Sequence, residues 1–141
     1  DYNGHMNVAY YVLIFDLFGA EILMDRFRMG EESAKTSKKS TMVVESHITY
    51  NEEVKEGDEV DVNLLYFDHD KKRLQYKLEM IHKEKKYVAS TIETLSLYVD
   101  LSLRKVAEFE EEKVKIMDQY IKENSSKFIQ ENLKFSGKLK K

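Results

Sequence analysis

The sequence predicts an α+β fold, an antiparallel β-sheet wrapped around one long buried helix, with a further helix near the carboxyl end. Three observations carry this. Residues 7–29 are dominated by apolar side chains, the stretches 41–50, 60–66, 73–80 and 87–99 have strand character, and the polar links at 69–72 and 83–86 are short enough for consecutive antiparallel hairpins. One helix followed by a meander of strands segregates helix and sheet into two layers around one core.

The elements follow in order. Val8, Tyr10, Tyr11, Val12, Leu13, Ile14, Phe15, Leu17 and Phe18 leave almost no polar face in the first half of the helix. A helix apolar all round is expected to be buried all round. Asn7 suits its N-cap, because the side-chain oxygen can take an N–H that the first turn leaves unpaired. The second half turns amphipathic, with Asp25, Arg26 and Arg28 available to solvent, and Gly30 is placed to stop it. Residues 31–40 read as a polar loop. Thr41 to Tyr50 is rich in β-branched residues. Val60, Val62, Leu64 and Tyr66 alternate with Asp61 and Asn63, and Leu74, Tyr76, Leu78 and Met80 with Arg73, Gln75, Lys77 and Glu79, which is the period of a half-buried strand. Tyr87 to Val99 is longer and mixed. From Val106 to about Glu123, the residues Val106, Phe109, Val114, Met117, Tyr120 and Ile121 fall near one helical face. Beyond Asn124 the chain is lysine-rich and reads as a solvated tail.

At 141 residues the chain is one domain, long enough to bury a sizeable core. Charged residues make up 35% and hydrophobic ones 42%, a globular balance, and a net charge of −3 argues against a general nucleic-acid binder. Cysteine is absent, which removes disulfides, cysteine nucleophiles and thiolate metal sites. His5, His47, His69 and His82 are scattered without paired ligand spacing, so no metal is expected. No Gly-x-Ser-x-Gly elbow or phosphate-binding glycine loop occurs. Asp16 interrupts the one apolar run that approaches the ~20 residues needed to span a bilayer. These features lead us to expect a cytoplasmic protein with no membrane and no nucleic-acid partner.

The run Asp1-Tyr2-Asn3-Gly4-His5-Met6-Asn7 places an acid, a glycine turn and a helix start within seven residues. Such a turn aims unpaired backbone N–H groups and the positive end of a helix dipole at one point. Oxyanion donors beside a carboxylate suit acyl transfer. The alternative is that Asp1 and Asn7 simply cap a turn and a helix.

Asp-x-x-Gly-His-Met-Asn-x-x-x-Tyr, read from Asp1 through Tyr11, resembles the signature of hotdog-fold acyl-CoA thioesterases of the 4-hydroxybenzoyl-CoA thioesterase type. Val44-Glu45-Ser46-His47-Ile48-Thr49-Tyr50 followed by Gly57-Asp58, and Val99-Asp100-Leu101-Ser102-Leu103-Arg104, add to the resemblance. Together they are most similar to the betainyl-CoA thioesterase branch linked to carnitine and betaine breakdown. The resemblance fades after Arg104, which divides the chain into a hotdog domain, 1–104, and a carboxyl-terminal helical extension with a basic tail, 105–141. Relatives carry a strand ahead of the motif, so a strand preceding Asp1 is expected in the full protein.

The resemblance implies hydrolysis of an acyl-CoA thioester, with CoA as part of the substrate and no separate cofactor. It gives the acid role to Asp1, as a general base for water, worth ~10²–10⁴-fold, or as a nucleophile forming an anhydride. The oxyanion donors would be backbone N–H groups of Gly4, His5 and Met6, each worth ~10²–10³. His5 and Asn7 would orient Asp1 or touch substrate, or serve only as structural donors. Because other family members carry the working acid on the helix, Asp16 and Glu21 are rivals to Asp1. Tyr10 and Tyr11 would line the acyl pocket or belong to the core. Glu45 and His47, two apart on one strand, share a side. They would face the cleft, Glu45 pairing with a cationic acyl group such as betainyl, or lie on a solvent face. An isolated sheet with open edges also implies a homo-oligomer, with a dimer as its minimum and CoA at the interface. Two other readings compete: enoyl-CoA hydration, from whose Asp-x-Asn-Pro-x-His pattern the chain departs at Gly4 and His5, and acyl-CoA binding without chemistry.

Overall fold

The structure, a computed structural model, describes Gly4 and residues 6–141. Asn7 caps the first helix as its chemistry suggests, its Oδ1 accepting the Ala9 N–H at 2.8 Å. Helix α1 (Val8–Phe15) passes through a π-helical turn (Asp16–Ala20) into α2 (Glu21–Arg26). At the wide turn the helix lies close against the sheet. A Cβ on Gly19 would stand 2.6 Å from Leu78 Cδ1 and 3.1 Å from Val62 Cγ1. Arg28, in the left-handed region at φ 60°, reverses the chain where Gly30 was expected to do so. Residues 31–36 are not loop but a short helix, α3 (Glu31–Thr36), with Glu31 and Glu32 in its first turn, where the helix dipole favours acids.

Four long antiparallel strands follow: β1 (Lys39–Tyr50), β2 (Val60–His69), β3 (Arg73–His82) and β4 (Val88–Asp100). Their order is β1-β4-β3-β2, so β1 and β2 form the two edges, and β5 (Lys105–Val106) pairs with the end of β4. The alternation in β3 turns Leu74, Tyr76, Leu78 and Met80 inward, where they pack with Ile92 and Tyr98 against Tyr11, Phe15, Leu23 and Phe27. A bulge at Val44 shifts the register of β1 between the pairs Val43–Ser96 and Glu45–Leu95.

Two expectations are corrected here. The sheet covers the helical stretch on one side, and of α1 only Tyr11 and Phe15 are buried. Val8, Tyr10, Leu13, Leu17, Phe18 and Ile22 stay exposed. A single sheet has one concave face, so it cannot enclose a helix apolar on every side. The carboxyl-terminal helix, α4 (Glu111–Asn124), begins later than its periodicity suggested. Val106 instead pairs with Val99 in β5, and Phe109 lies in the connection, its ring 4.9 Å from that of Tyr98. Met117 on α4 is fully buried in the common core.

The tail packs back on the sheet. Lys134 and Phe135 donate their main-chain N–H groups to Glu93, and Lys140 donates its own to Asp70 at 2.8 Å. This explains why Gln75 and Glu93, on the sheet face turned away from α1, are nonetheless buried. Among the described residues, no helix is long and apolar enough to cross a membrane.

Candidate active site

The turn before α1 is built on Gly4, whose φ of +76° lies in the left-handed region. Nothing lies within 4 Å of a Cβ placed there, so the backbone conformation, not crowding, calls for glycine. The Met6 N–H donates to the Val54 carbonyl at 2.8 Å, tying the turn to the loop between β1 and β2. Gly4, Met6, Asn7, Tyr10 and Ile14 then line a cavity of about 420 Å³, closed on its far side by Val54–Asp58 and Val60. Gly57, at φ +90°, makes the tight turn in that wall. Asp58 closes it by accepting the Lys55 N–H at 2.9 Å, and its other near neighbour is His82 Nε2 at 3.2 Å. The Lys55 N–H, followed by His82, holds the Asp58 carboxyl below the ordinary carboxylate value.

The structure therefore brings Gly4, Met6, Asn7 and Tyr10 together. Asp1 and His5 lie outside the described residues. Because the Met6 N–H is already occupied by Val54, it is not free to meet an oxyanion in this arrangement. Tyr11 turns into the core, its ring edge-on to Tyr50 at 5.1 Å, and burial raises its hydroxyl above the usual tyrosine value. Glu45 and His47 pair in register with Leu95 and Glu93, on the sheet face opposite α1 and away from this cavity.

A second cavity, about 390 Å³, lies between the π-turn and the β1 edge. Asp16, Ala20, Glu21 and Met24 line its helical side, and Ser40, Thr41, Val43, Tyr76 and Ser96 its sheet side. Burial raises the Asp16 carboxyl above its ordinary value although the residue keeps an exposed side. Burial also pushes the Tyr76 hydroxyl up to about 12, against its hydrogen bonds with Thr94 and Ser96. Asp25 and Glu31 complete a lining that includes no lysine or arginine. Sequence reasoning named Asp16 and Glu21 but missed Tyr76 and Ser96. The alternation of β3 marks Tyr76 as inward-facing, yet nothing local marks it as facing a cavity. A larger polar cavity, about 660 Å³, between α3 and α4 lies away from the turn and gathers Arg28 and Lys113 with acids and hydroxyls.

The family model described as the Thioesterase-like superfamily matches residues 1–130. The chain belongs to the Thioesterase-like superfamily. Betainyl-CoA thioesterase of Pseudomonas aeruginosa is 31% identical over 112 residues, covering 79% of this chain and 70% of that protein. A Staphylococcus aureus protein solved in complex with CoA is 25% identical with a TM-score of 0.76, over 95% of this chain and 81% of its own. The DHNA-CoA thioesterase of Staphylococcus aureus shares the fold, with a TM-score of 0.78 at 15% identity over 92% of this chain and 87% of its own.

Membership makes this superfamily chain a thioesterase of hotdog fold, a hydrolase of thioester bonds. The chemistry needs a polarised carbonyl, an acid and a pocket from which water is largely excluded. The α1 amino terminus carries the positive end of a helix dipole, and the cavity at Gly4 lies beside it. Among the described residues no group of His, Asp and Glu is arranged to hold a metal ion.

Proposed function

We propose that this thioesterase hydrolyses an acyl-CoA with a small cationic acyl group, betainyl-CoA being the specific substrate. The observation that carries the thioesterase chemistry is the left-handed turn at Gly4, opening with the capped start of α1 onto a cavity of about 420 Å³. Asp1, by its place in the motif, activates water or attacks the thioester carbonyl itself. The turn and the α1 amino terminus stabilise the oxyanion of the tetrahedral intermediate, which collapses to expel the CoA thiolate. The free acid and CoA are the products.

The cationic acyl group is supported by the relationship to the betainyl-CoA thioesterase and by the acidic cavity at the β1 edge. Asp16 and Glu21 line that cavity together with the Tyr76 ring, a combination that suits a quaternary ammonium; since that nitrogen stands two bonds from the thioester carbonyl carbon, this reading has the Gly4 turn of a second copy present the carbonyl at this cavity. Glu45 stands on the outer sheet face, so the charge pairing expected of it passes to Asp16 in this reading.

The working unit in this proposal is a homodimer. The exposed Val12, Leu13 and Leu17 of the helical stretch and the exposed Met42, Val43 and Val44 of edge strand β1 support it. Apolar side chains beside an open strand edge are the surface a second copy would cover. The β1-side cavity opens on that same edge, so docking would bring the partner chain over it.

Hydration of an enoyl-CoA fits less well, since proline, required by that pattern at this point, cannot adopt the φ of +76° found at Gly4. The deciding experiment is CoA thiol release from betainyl, short-chain, long-chain and aromatic acyl-CoAs, with Asp1→Asn alongside. Turnover of betainyl-CoA that falls at least a hundredfold in the variant supports the proposal. Faster turnover of an uncharged substrate removes the cationic specificity. No release from any of the four, by folded protein, moves the reading to binding without chemistry.

A further inference from the structure

The loop that walls the cavity at Gly4 is itself held from behind, by the hairpin joining β3 to β4. Tyr87 Oη donates to the Glu53 carbonyl at 2.5 Å. His82 Nε2 lies 3.2 Å from Asp58 Oδ2, while His82 Nδ1 accepts the Lys85 N–H at 3.0 Å. A nitrogen that accepts a main-chain N–H carries no proton of its own, so the imidazole proton sits on Nε2, the nitrogen that faces Asp58. The two rings stack at 4.9 Å with a tilt of 32°. His82 and Val54 are almost completely buried, which leaves the arrangement little room to relax.

Between the two anchored ends, at Glu53 and Asp58, lies Val54, whose carbonyl receives the Met6 N–H at 2.8 Å. The hairpin therefore grips the loop, and the loop grips the turn that leads into α1. We infer that His82 and Tyr87 are positioning residues that set the turn at Gly4–Met6 through the Val54–Met6 hydrogen bond. The inference rests on the proposed reaction at that turn. Neither side chain lines the cavity, so each acts on the reaction through the loop rather than by touching substrate. Misplacing reacting groups by about 1 Å can cost ~10²-fold in rate, so loosening this grip falls on turnover more than on binding.

The test uses His82→Phe, Tyr87→Phe and His82→Gln in the full chain, with circular dichroism and thermal unfolding to establish the fold. His82→Phe keeps the ring stack but loses the donor, and is expected to lower kcat about tenfold while KM stays within twofold. Tyr87→Phe is expected to do the same. His82→Gln returns an N–H near the position of Nε2 and is expected to recover most of kcat. Exchange of the Met6 amide with solvent deuterium, followed by NMR, is expected to quicken in both phenylalanine variants and to return toward wild type in the glutamine variant. Unchanged kcat in both phenylalanine variants overturns the inference, as does a glutamine variant impaired as much as His82→Phe. If the wild type releases no thiol from any substrate, the proposed function fails. The positioning then stands or falls on the Met6 amide alone: faster exchange upholds the link and unchanged exchange removes it.

Discussion

Glu93 accepts the main-chain N–H of Lys134 through both carboxylate oxygens, at 2.7 and 2.9 Å, and so fastens the carboxyl-terminal tail across the outer face of the sheet. The same carboxylate takes the Phe135 N–H at 2.8 Å and the Gln75 amide at 3.0 Å. Replacing it by glutamine turns one acceptor into a donor facing other donors in a site only 1% exposed. Glu93→Gln is expected to lower stability by about 1–3 kcal/mol, measured by urea unfolding, and to speed proteolytic trimming near residues 128–141. A variant as stable and as resistant as wild type would show that the tail rests on the sheet without being held there.

The π-turn places the helix against the sheet at Gly19. A methyl group there meets Leu78, which is buried and hemmed in, so Leu78 or the helix must shift. Overpacking of this kind costs about 1–3 kcal/mol, of which the better helix propensity of alanine returns about 1. Gly19→Ala is expected to lower the melting temperature by several degrees. A rise in melting temperature would mean that the approach is looser than 2.6 Å implies.

Asp16 has a pH dependence with a definite sign. Burial raises its carboxyl above the ordinary value of 3.8, so the folded chain holds that proton more tightly than the unfolded chain. Its contribution is fully present below that value and is lost as pH rises through the folded one. Asp16→Asn is therefore expected to melt higher than wild type at pH 7, with the gap closing toward pH 3.5. Thermal unfolding across that range checks it. In the same variant the proposed preference for a cationic acyl group should fall about tenfold relative to an uncharged one of equal size.

The exposed helix face predicts assembly. Leu17 is 43% exposed in the single chain, among other apolar side chains. Leu17→Glu would place a charge where a second copy is proposed to dock, and is expected to shift sedimentation from dimer to monomer and to abolish thiol release. A dimer that persists with full activity would move the interface elsewhere.

Asp58 gives the opposite sign to Asp16. The Lys55 N–H and His82 hold its carboxyl below 3.8, so the stability it contributes is present above that value and lost as pH falls through the folded one. Acidification below about pH 4 is expected to loosen the loop at 54–58 before the sheet melts. Amide exchange at Lys55 and Met6, compared with that of β3, measures the order of the two events.

What the sequence determined by itself was local. The Asn7 cap, the alternation that turns Leu74, Tyr76, Leu78 and Met80 inward, the hairpin links and the Asp-x-x-Gly motif are each written in residues a few positions apart, where backbone preference and side-chain period act directly. The tertiary structure decided which faces are covered. The helix is apolar on nearly every side, yet whether Leu17 meets protein or water depends on a sheet whose first strand lies more than twenty residues away. Glu45 and His47 share a side of their strand, but only the pairing of Glu45 with Leu95 settles which side that is. The tail looked solvated because its lysines are polar, whereas its backbone N–H groups, which carry no sequence signature, are what Glu93 binds. Asp16 and Tyr76 line one cavity because helix and sheet cross there, a contact between segments sixty residues apart. Local periodicity fixes what a segment is; long-range packing fixes what it faces, and the site lies in what it faces.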